Sequence, residues 1–232
     1  MFLIIKRRVS HAILLVCVII FTLGCLIISA QSIMTSASSR SEYSILIEID
    51  EKTLYLFEDG ELIKKYPIAS GTKDMPSPIG SWRIVNKGKW SKGFGGHWMG
   101  LNVPWGTYGI HGTKREDTIG RAASHGCIRM YNRDVKELYR IVPINTPVVI
   151  NNGPFGPFGT GFKEIHPGDR GADVYAVQER LKELGYFNGY VSGIYGEDLK
   201  VAVHKFQADH NLKVKNAITH EDYEAMGFKE FE

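Results

Sequence analysis

The sequence predicts two folded units of different class. A mainly β domain occupies residues 42–151, built as a sheet sandwich or a partly closed barrel, and a small all-α domain of three helices occupies 167–232. Three observations predict this. Apolar residues alternate in the segment that opens at Ser44, they recur at helical spacing beyond Asp173, and the stretch between the units has no period at all. The chain has 232 residues, enough for one catalytic-sized unit and one small module when a domain is roughly 150 residues. Hydrophobic residues make up 44% and charged residues 23%, which suits a packed core and excludes a wholly disordered or collagen-like chain.

Residues 1–41 read as a membrane anchor or signal peptide followed by a tether. Lys6-Arg7-Arg8 precedes an uncharged, mostly apolar run from Ala12 to Ala30, which at about 1.5 Å per residue nearly crosses a hydrocarbon core of about 30 Å. The run is longer than a usual signal h-region, and Ile28 fits poorly before a cut after Ala30, so the reading favours an uncleaved transmembrane helix. The basic flank keeps the N-terminus in the cytoplasm and sends the remainder outside, as a membrane-anchored or secreted protein of the extracytoplasmic space. Ser32 to Ser41 is serine-rich and serves as the tether.

Charge narrows the partners. The net charge is +3, but Lys6, Arg7, Arg8 and Arg40 all precede Glu42 with no acid among them, which leaves the rest of the chain with one more acid than base. That near-neutral remainder argues against a nucleic-acid surface. Of three cysteines, Cys17 and Cys25 sit inside the apolar run and Cys127 is left alone, so a disulfide framework is excluded.

From Ser44 the β elements follow in order. Ile45, Ile47 and Ile49 alternate with Leu46, Glu48 and Asp50; Leu54 to Phe57 and Leu62 to Ile68 follow across turns at Glu51-Lys52 and Asp59-Gly60, which makes an antiparallel meander. Between Pro76 and Gly109 the chain is dense in Gly, Trp and Pro, which predicts short strands and long loops. Asp134 to Tyr139 predicts one short helical turn, and Val148-Val149-Ile150 a closing strand. Residues 152–166 read as a Gly/Pro-rich linker that leaves the helical unit energetically separate. Val174, Val177, Leu181 and Leu184 then mark one helical face, with Asp173 before it and Gly185 closing it; Leu199, Ala202, Val203 and Phe206 mark a second, and Glu221 to Met226 a shorter third.

The chemistry concentrates in one stretch. Tyr108-Gly109-Ile110-His111-Gly112-Thr113 is followed after ten residues by Ser124-His125-Gly126-Cys127-Ile128-Arg129-Met130, which sets one thiol near two imidazoles. A thiolate is the attacking species, and an imidazole within hydrogen-bond reach takes its proton and raises the anion fraction at neutral pH. If Ser124 to Cys127 is extended, His125 shares a face with Cys127, whereas a tight turn at Gly126 separates them, so spacing leaves the choice between His111 and His125 open. Zinc held by His97, His111, His125 and Cys127 is the competing chemistry, but the spacings match none of the compact Cys/His patterns, so no metal and no cofactor are expected. Trp82, Trp90, Trp98 and Trp105 read as core or groove aromatics, and Arg121 and Arg133 as solvated charges.

His-Gly-Thr, a gap, then Ser-His-Gly-Cys-Ile-Arg resembles the signature of the YkuD-type L,D-transpeptidases, bacterial cell-wall cross-linking enzymes. The resemblance spans about Ser44 to Asn151 and includes Ser77-Pro78-Ile79-Gly80 and Trp98-Met99-Gly100-Leu101. It implies that Cys127 is the nucleophile, His111 the general base, and the carbonyl of Gly112 the group that orients His111. It further implies an oxyanion hole from the backbone of the His125-Gly126-Cys127 loop, and substrate binding by Arg129 and Ser124, with Arg129 suited to a carboxylate.

The reaction so implied is a two-step acyl transfer on peptidoglycan stem peptides through a Cys127 thioester, giving 3-3 cross-links, with carbapenem-type β-lactams as expected inhibitors. Water in place of the acceptor amine would make the protein an L,D-carboxypeptidase. Two other readings are a general Cys/His hydrolase, disfavoured because it lacks the papain-like order of Cys before His, and a non-catalytic wall-binding protein. Residues Pro167 to Phe228 resemble the three-helix peptidoglycan-binding domain family, through Gly168-Asp169-Arg170-Gly171-Ala172-Asp173-Val174, Gly193-Ile194-Tyr195-Gly196 and Ala202 to Gln207. They depart from it at Ser192, Leu199 and Asn216-Ala217. The resemblance implies a glycan-wall partner.

Overall fold

The computed structural model describes residues 41–229. The apolar segment 12–30, read above as an anchor or signal, lies outside the described residues; among the described residues no helix is long and apolar enough to cross a membrane.

Strands β1 (Tyr43–Glu48) and β2 (Thr53–Glu58) pair antiparallel, with Ile45 opposite Leu56 and Ile47 opposite Leu54. The alternation expected from the sequence is real: these four side chains are buried in the core. A two-residue turn leads to β3 (Glu61–Gly71), and its Asp59 and Gly60 have φ of 51° and 84°. Two successive left-handed residues give the turn whose twist matches the flanking strands, and Gly is the residue that adopts this conformation without strain.

Two long strands each serve two sheets. The start of β3 pairs with β2, and its end pairs with β8 (Ile128–Met130) and with the short β7 (Ala122–Ser124). Likewise β4 (Gly80–Gly88) pairs first with β9 (Pro147–Asn151) and then with β5 (Trp98–Leu101). With β1 parallel to β9, β5 antiparallel to β6 (Tyr108–His111) and β6 parallel to β8, the pairings run from β2 around to β3, and β3 returns to β2. The ring is therefore closed, where the sequence suggested a sandwich or a partly closed barrel. Closure satisfies the edge backbone groups that an open sheet exposes. Helix α1 (Asn132–Ile141) buries Val135 and Leu138 in the same core; it is longer than the single turn expected.

The helical unit contains α2 (Ala172–Glu183), α3 (Glu197–Asp209) and α4 (His220–Ala225). The predicted apolar faces are its core: Val174, Val177 and Leu181 meet Leu199, Val203 and Phe206. Asp173 lies inside the first turn of α2 rather than before it, where it pairs with Lys163 at 3.0 Å. Leu184 falls just past the helix and is partly exposed. The positions that depart from the family pattern are built in: Ser192 Oγ accepts the Ile194 N–H at 3.2 Å, Leu199 is buried, and Asn216 accepts from the Tyr195 hydroxyl at 2.5 Å.

The stretch 152–166 does not leave the helices separate. Phe158 and Phe162 pack against the helical core, with Phe162 stacked on Tyr223 at 4.7 Å, and Ile165 is fully buried where it pairs with Ile218. Beyond it, Tyr175 of α2 lies 5.7 Å from both Trp82 and Trp105 of the β domain. Those two indoles are only 5% and 6% exposed. A large apolar side chain gains about 1.5–3 kcal/mol on full burial, so this aromatic seam is a substantial interface between the two units.

Candidate active site

Register brings the chemistry together. In the parallel pair β6–β8, Ile110 lies opposite Ile128 and His111 opposite Arg129. Side chains alternate along a strand, so the buried Ile110 and Ile128 share the inner face, while His111, Arg129 and Cys127, two residues before Arg129, share the other. Diagonal neighbours on adjacent strands lie within reach of long side chains.

His111 is nearly buried, 5% exposed. Its Nδ1–H donates to the carbonyl oxygen of Gly112 at 2.5 Å; a carbonyl only accepts, so Nδ1 carries the proton and Nε2 holds the lone pair. The ring is boxed by aromatics: Trp98 stacks at 5.6 Å and Phe94 meets it edge-on at 5.0 Å, while Trp90 backs Trp98 at 4.5 Å and an interplanar angle of 3°. Burial consequently pushes the His111 pKa below its ordinary 6.5; the Gly112 hydrogen bond opposes this and the Arg129 charge reinforces it. Gly112 is a glycine for a steric reason. A Cβ there would come within 2.3 Å of Asn132 Oδ1 and 2.8 Å of the Gly95 Cα. Asn132 in turn accepts the Thr113 N–H at 2.9 Å and donates to the Thr113 carbonyl at 3.0 Å, bracing the turn that holds the Gly112 oxygen.

The Cys127 thiol is part-buried, and Sγ lies 4.0 Å from the Thr107 carbonyl oxygen. Burial raises its pKa above the ordinary 9.0, against the lowering effects of a backbone hydrogen bond at Gly109 and of Arg129. The enhanced thiolate fraction expected from the sequence is thus absent at rest. Desolvation disfavours both ions, so the stable pair is neutral thiol and neutral imidazole. One cation, Arg129, acts on both groups in opposite senses for proton transfer: it favours the thiolate, and it disfavours the imidazolium that would accept the thiol proton.

Before Cys127 the chain turns sharply. Gly126 has φ of 105°, and a Cβ there would stand 2.7 Å from Cε1 of Tyr108, so both conformation and space require glycine. The turn ends the extended run, and His125 is exposed, with no hydrogen bond or ion pair among the described residues. Ser124, read as substrate-binding, is fully buried and closes the loop on itself: its hydroxyl accepts the Gly126 N–H at 3.0 Å and donates to the Cys127 carbonyl at 2.6 Å. That bond withdraws the Gly126 N–H from the expected oxyanion hole. Among the described residues the N–H of Cys127 donates to nothing, which leaves it free for an oxyanion. Arg129 is half-buried and spends one guanidinium N–H on the Ala123 carbonyl at 2.9 Å.

His97, the fourth member of the zinc alternative, packs on Tyr139 at 4.9 Å, and its buried Nδ1 has no partner among the described residues. No group of three or more His, Cys, Asp or Glu among the described residues could hold a metal ion. Sequence reasoning missed Asn132, because an asparagine at the start of a helix carries no catalytic pattern. It also missed Tyr108 as the ring against the Gly126-Cys127 loop.

Comparison with known proteins follows the same division. A family profile described as an L,D-transpeptidase catalytic domain matches residues 42–150, and a peptidoglycan-binding domain profile matches 170–214. The chain is 46% identical over 109 residues to the candidate L,D-transpeptidase YkuD of Bacillus licheniformis, covering 47% of this chain and 65% of that protein. It therefore spans just under two thirds of that relative's length. A solved L,D-transpeptidase from Mycobacterium smegmatis is 20% identical with a TM-score of 0.41, over 48% of this chain and 59% of that one. The candidate L,D-transpeptidase YqjB of Bacillus subtilis is 30% identical over 125 residues, 47% of this chain and 70% of YqjB. A match of that depth over most of a relative, together with a profile that takes in nearly the whole closed ring and the segment from His111 to Arg129, means that this chain belongs to the YkuD-type L,D-transpeptidase family.

Proposed function

We propose that the protein is an L,D-transpeptidase acting on peptidoglycan stem peptides through a Cys127 thioester. The observation that carries this reading is the shared face of His111, Cys127 and Arg129, with His111 fixed by Gly112 in the tautomer that accepts a proton at Nε2. Nε2 takes the thiol proton as Sγ attacks the carbonyl before the terminal D-residue, and the Cys127 N–H receives the developing oxyanion. The C–N bond then breaks, the imidazolium returns its proton to the leaving nitrogen, and a D-amino acid departs. In the second half an acceptor amine gives a proton to His111, attacks the thioester, and releases the thiol with a new peptide bond.

Neutral resting partners suit this sequence. A buried thiol stays protonated until a carbonyl arrives, which limits side reactions of the free thiolate. Arg129 is the group we assign to a substrate carboxylate, with its remaining guanidinium N–H groups. Carbapenem-type β-lactams present a strained carbonyl to the same thiol and belong to the same reading. The helical domain, matched by a peptidoglycan-binding profile, would retain the enzyme on the glycan wall. That places the action outside the cytoplasm.

The test is incubation with a stem tetrapeptide and an acceptor peptide, followed by mass spectrometry. Loss of the terminal D-residue with a cross-linked product supports the transpeptidase. Loss of the residue without cross-linking identifies an L,D-carboxypeptidase, and no reaction leaves a wall-binding protein.

A further inference from the structure

The aromatic seam does not stop at the boundary between the two units. Gly193, in the turn between α2 and α3, has φ of 68°, and a Cβ there would lie 2.3 Å from Cε3 of Trp105. Gln178 of α2 clamps this turn, accepting the Gly193 N–H at 2.7 Å and donating to the Ile194 carbonyl at 3.0 Å. Trp105 lies 5.2 Å from Trp82, 5.7 Å from Tyr175 and 6.4 Å from Tyr108. Tyr108 is the ring packed against Gly126, next to the nucleophile. A contiguous series of packed groups thus runs from the helical unit to Cys127.

We propose that the helical domain is a wall of the catalytic groove, in which the Gly193 turn and Tyr175 seat Trp105, Trp105 seats Tyr108, and Tyr108 is a positioning residue for the Cys127 loop. The proposal rests on Cys127 as the nucleophile and adds that the C-terminal unit is required for its geometry, beyond retention on the wall. Two features favour it over an interface that serves stability alone. The series ends on the loop that bears the thiol, at a glycine with no room for a methyl group. The Tyr108 pKa, raised chiefly by burial, is also lowered by the charge of Arg170 in the helical unit, so residues of both units lie in one electrostatic neighbourhood.

The test uses full-length variants and two readouts, kcat and KM for a soluble tetrapeptide and the pH midpoint of Cys127 alkylation by iodoacetamide. Tyr175→Ala removes the ring that covers Trp82 and Trp105; Tyr175→Phe keeps it. Gly193→Ala forces a methyl group onto Trp105, whereas Gly168→Ala imposes similar backbone strain at φ of 95° with nothing within 4 Å. Tyr175→Ala and Gly193→Ala should lower kcat roughly tenfold with little change in KM, the size expected when reacting groups shift by a fraction of an ångström. Both should also move the alkylation midpoint down toward the ordinary thiol value as the loop hydrates. Tyr175→Phe and Gly168→Ala should stay near wild type in both. Wild-type kcat and midpoint in Tyr175→Ala would overturn the proposal, whether or not Gly193→Ala folds. Alkylation needs no peptide, so a shifted midpoint in a protein that turns over no tetrapeptide would sink the transpeptidase reading and leave the seam standing.

Discussion

Ser124 and Cys127 are joined by a 2.6 Å hydrogen bond from the serine hydroxyl to the cysteine carbonyl, inside a loop whose Gly126 N–H returns to the same hydroxyl at 3.0 Å. One fully buried side chain therefore holds the Gly126 N–H and the Cys127 carbonyl together.

Removing that hydroxyl should cost more in rate than in fold. Ser124→Ala leaves the buried Gly126 N–H without its acceptor, a loss of about 1–3 kcal/mol, and removes the donor to the part-buried Cys127 carbonyl. We expect kcat to fall roughly 10–100-fold as the Cys127 N–H loses its aim. Steady-state kinetics beside thermal melting would check it. Unchanged kcat with a lowered melting temperature would mean the clamp only stabilises the loop.

The two histidines should separate cleanly. His111→Ala is expected to lose about 10²–10⁴-fold in acyl transfer, the usual contribution of a general base. His125→Ala, an exposed side chain, should lose less than about tenfold, within the range of a surface change near a loop. A dead His125→Ala beside a nearly normal His111→Ala would exchange their roles.

The pH profile follows from the direction of the His111 shift. Its pKa is lowered, so the imidazole remains an unprotonated base as pH falls through 6.5 and is lost only below that. The acid limb of kcat/KM should accordingly have its midpoint below 6.5. Alkylation of free Cys127, which follows the thiolate, should rise only above the ordinary thiol value of 9.0, because burial raises that pKa. An acid limb centred above 6.5 would show that burial does not control His111.

Much of this architecture was legible in the chain. The alternation of Ile45, Ile47 and Ile49 and the helical spacing of Val174, Val177 and Leu181 report burial directly, because a period of two or of 3.6 shows which side chains share a face. Closure of the ring was not legible, since it depends on β3 and β4 each changing partners midway. The seam was hidden for a related reason: Trp82, Trp105 and Tyr175 are far apart in sequence, and a Gly/Pro-rich stretch between them reads as a flexible linker until Phe158 and Phe162 are seen to be packed. At the site, the motif pointed to Cys127 and His111, but the charge state of the pair follows from the aromatic box around His111, which only the fold assembles. The same holds for the roles of Ser124 and Asn132, whose partners are backbone groups that no side-chain pattern records.

A carbapenem offers an acyl donor that needs no acceptor peptide. Intact mass should rise by one drug molecule, with the adduct mapped to Cys127 and slowed in His111→Ala, since attack still requires loss of the thiol proton. A full adduct on Cys127→Ala would place the reactive group elsewhere.

Acyl transfer as proposed requires that Cys127 form a thioester with the stem peptide. Rapid quenching in acid of a single turnover with a stem tetrapeptide, then intact-mass and peptide mapping, reads it directly. The expected result is a tripeptidyl adduct confined to the peptide that contains Cys127, one released D-amino acid per adduct, and neither in Cys127→Ala. Release of the D-amino acid by Cys127→Ala at the wild-type rate, or an adduct on another residue, would contradict it.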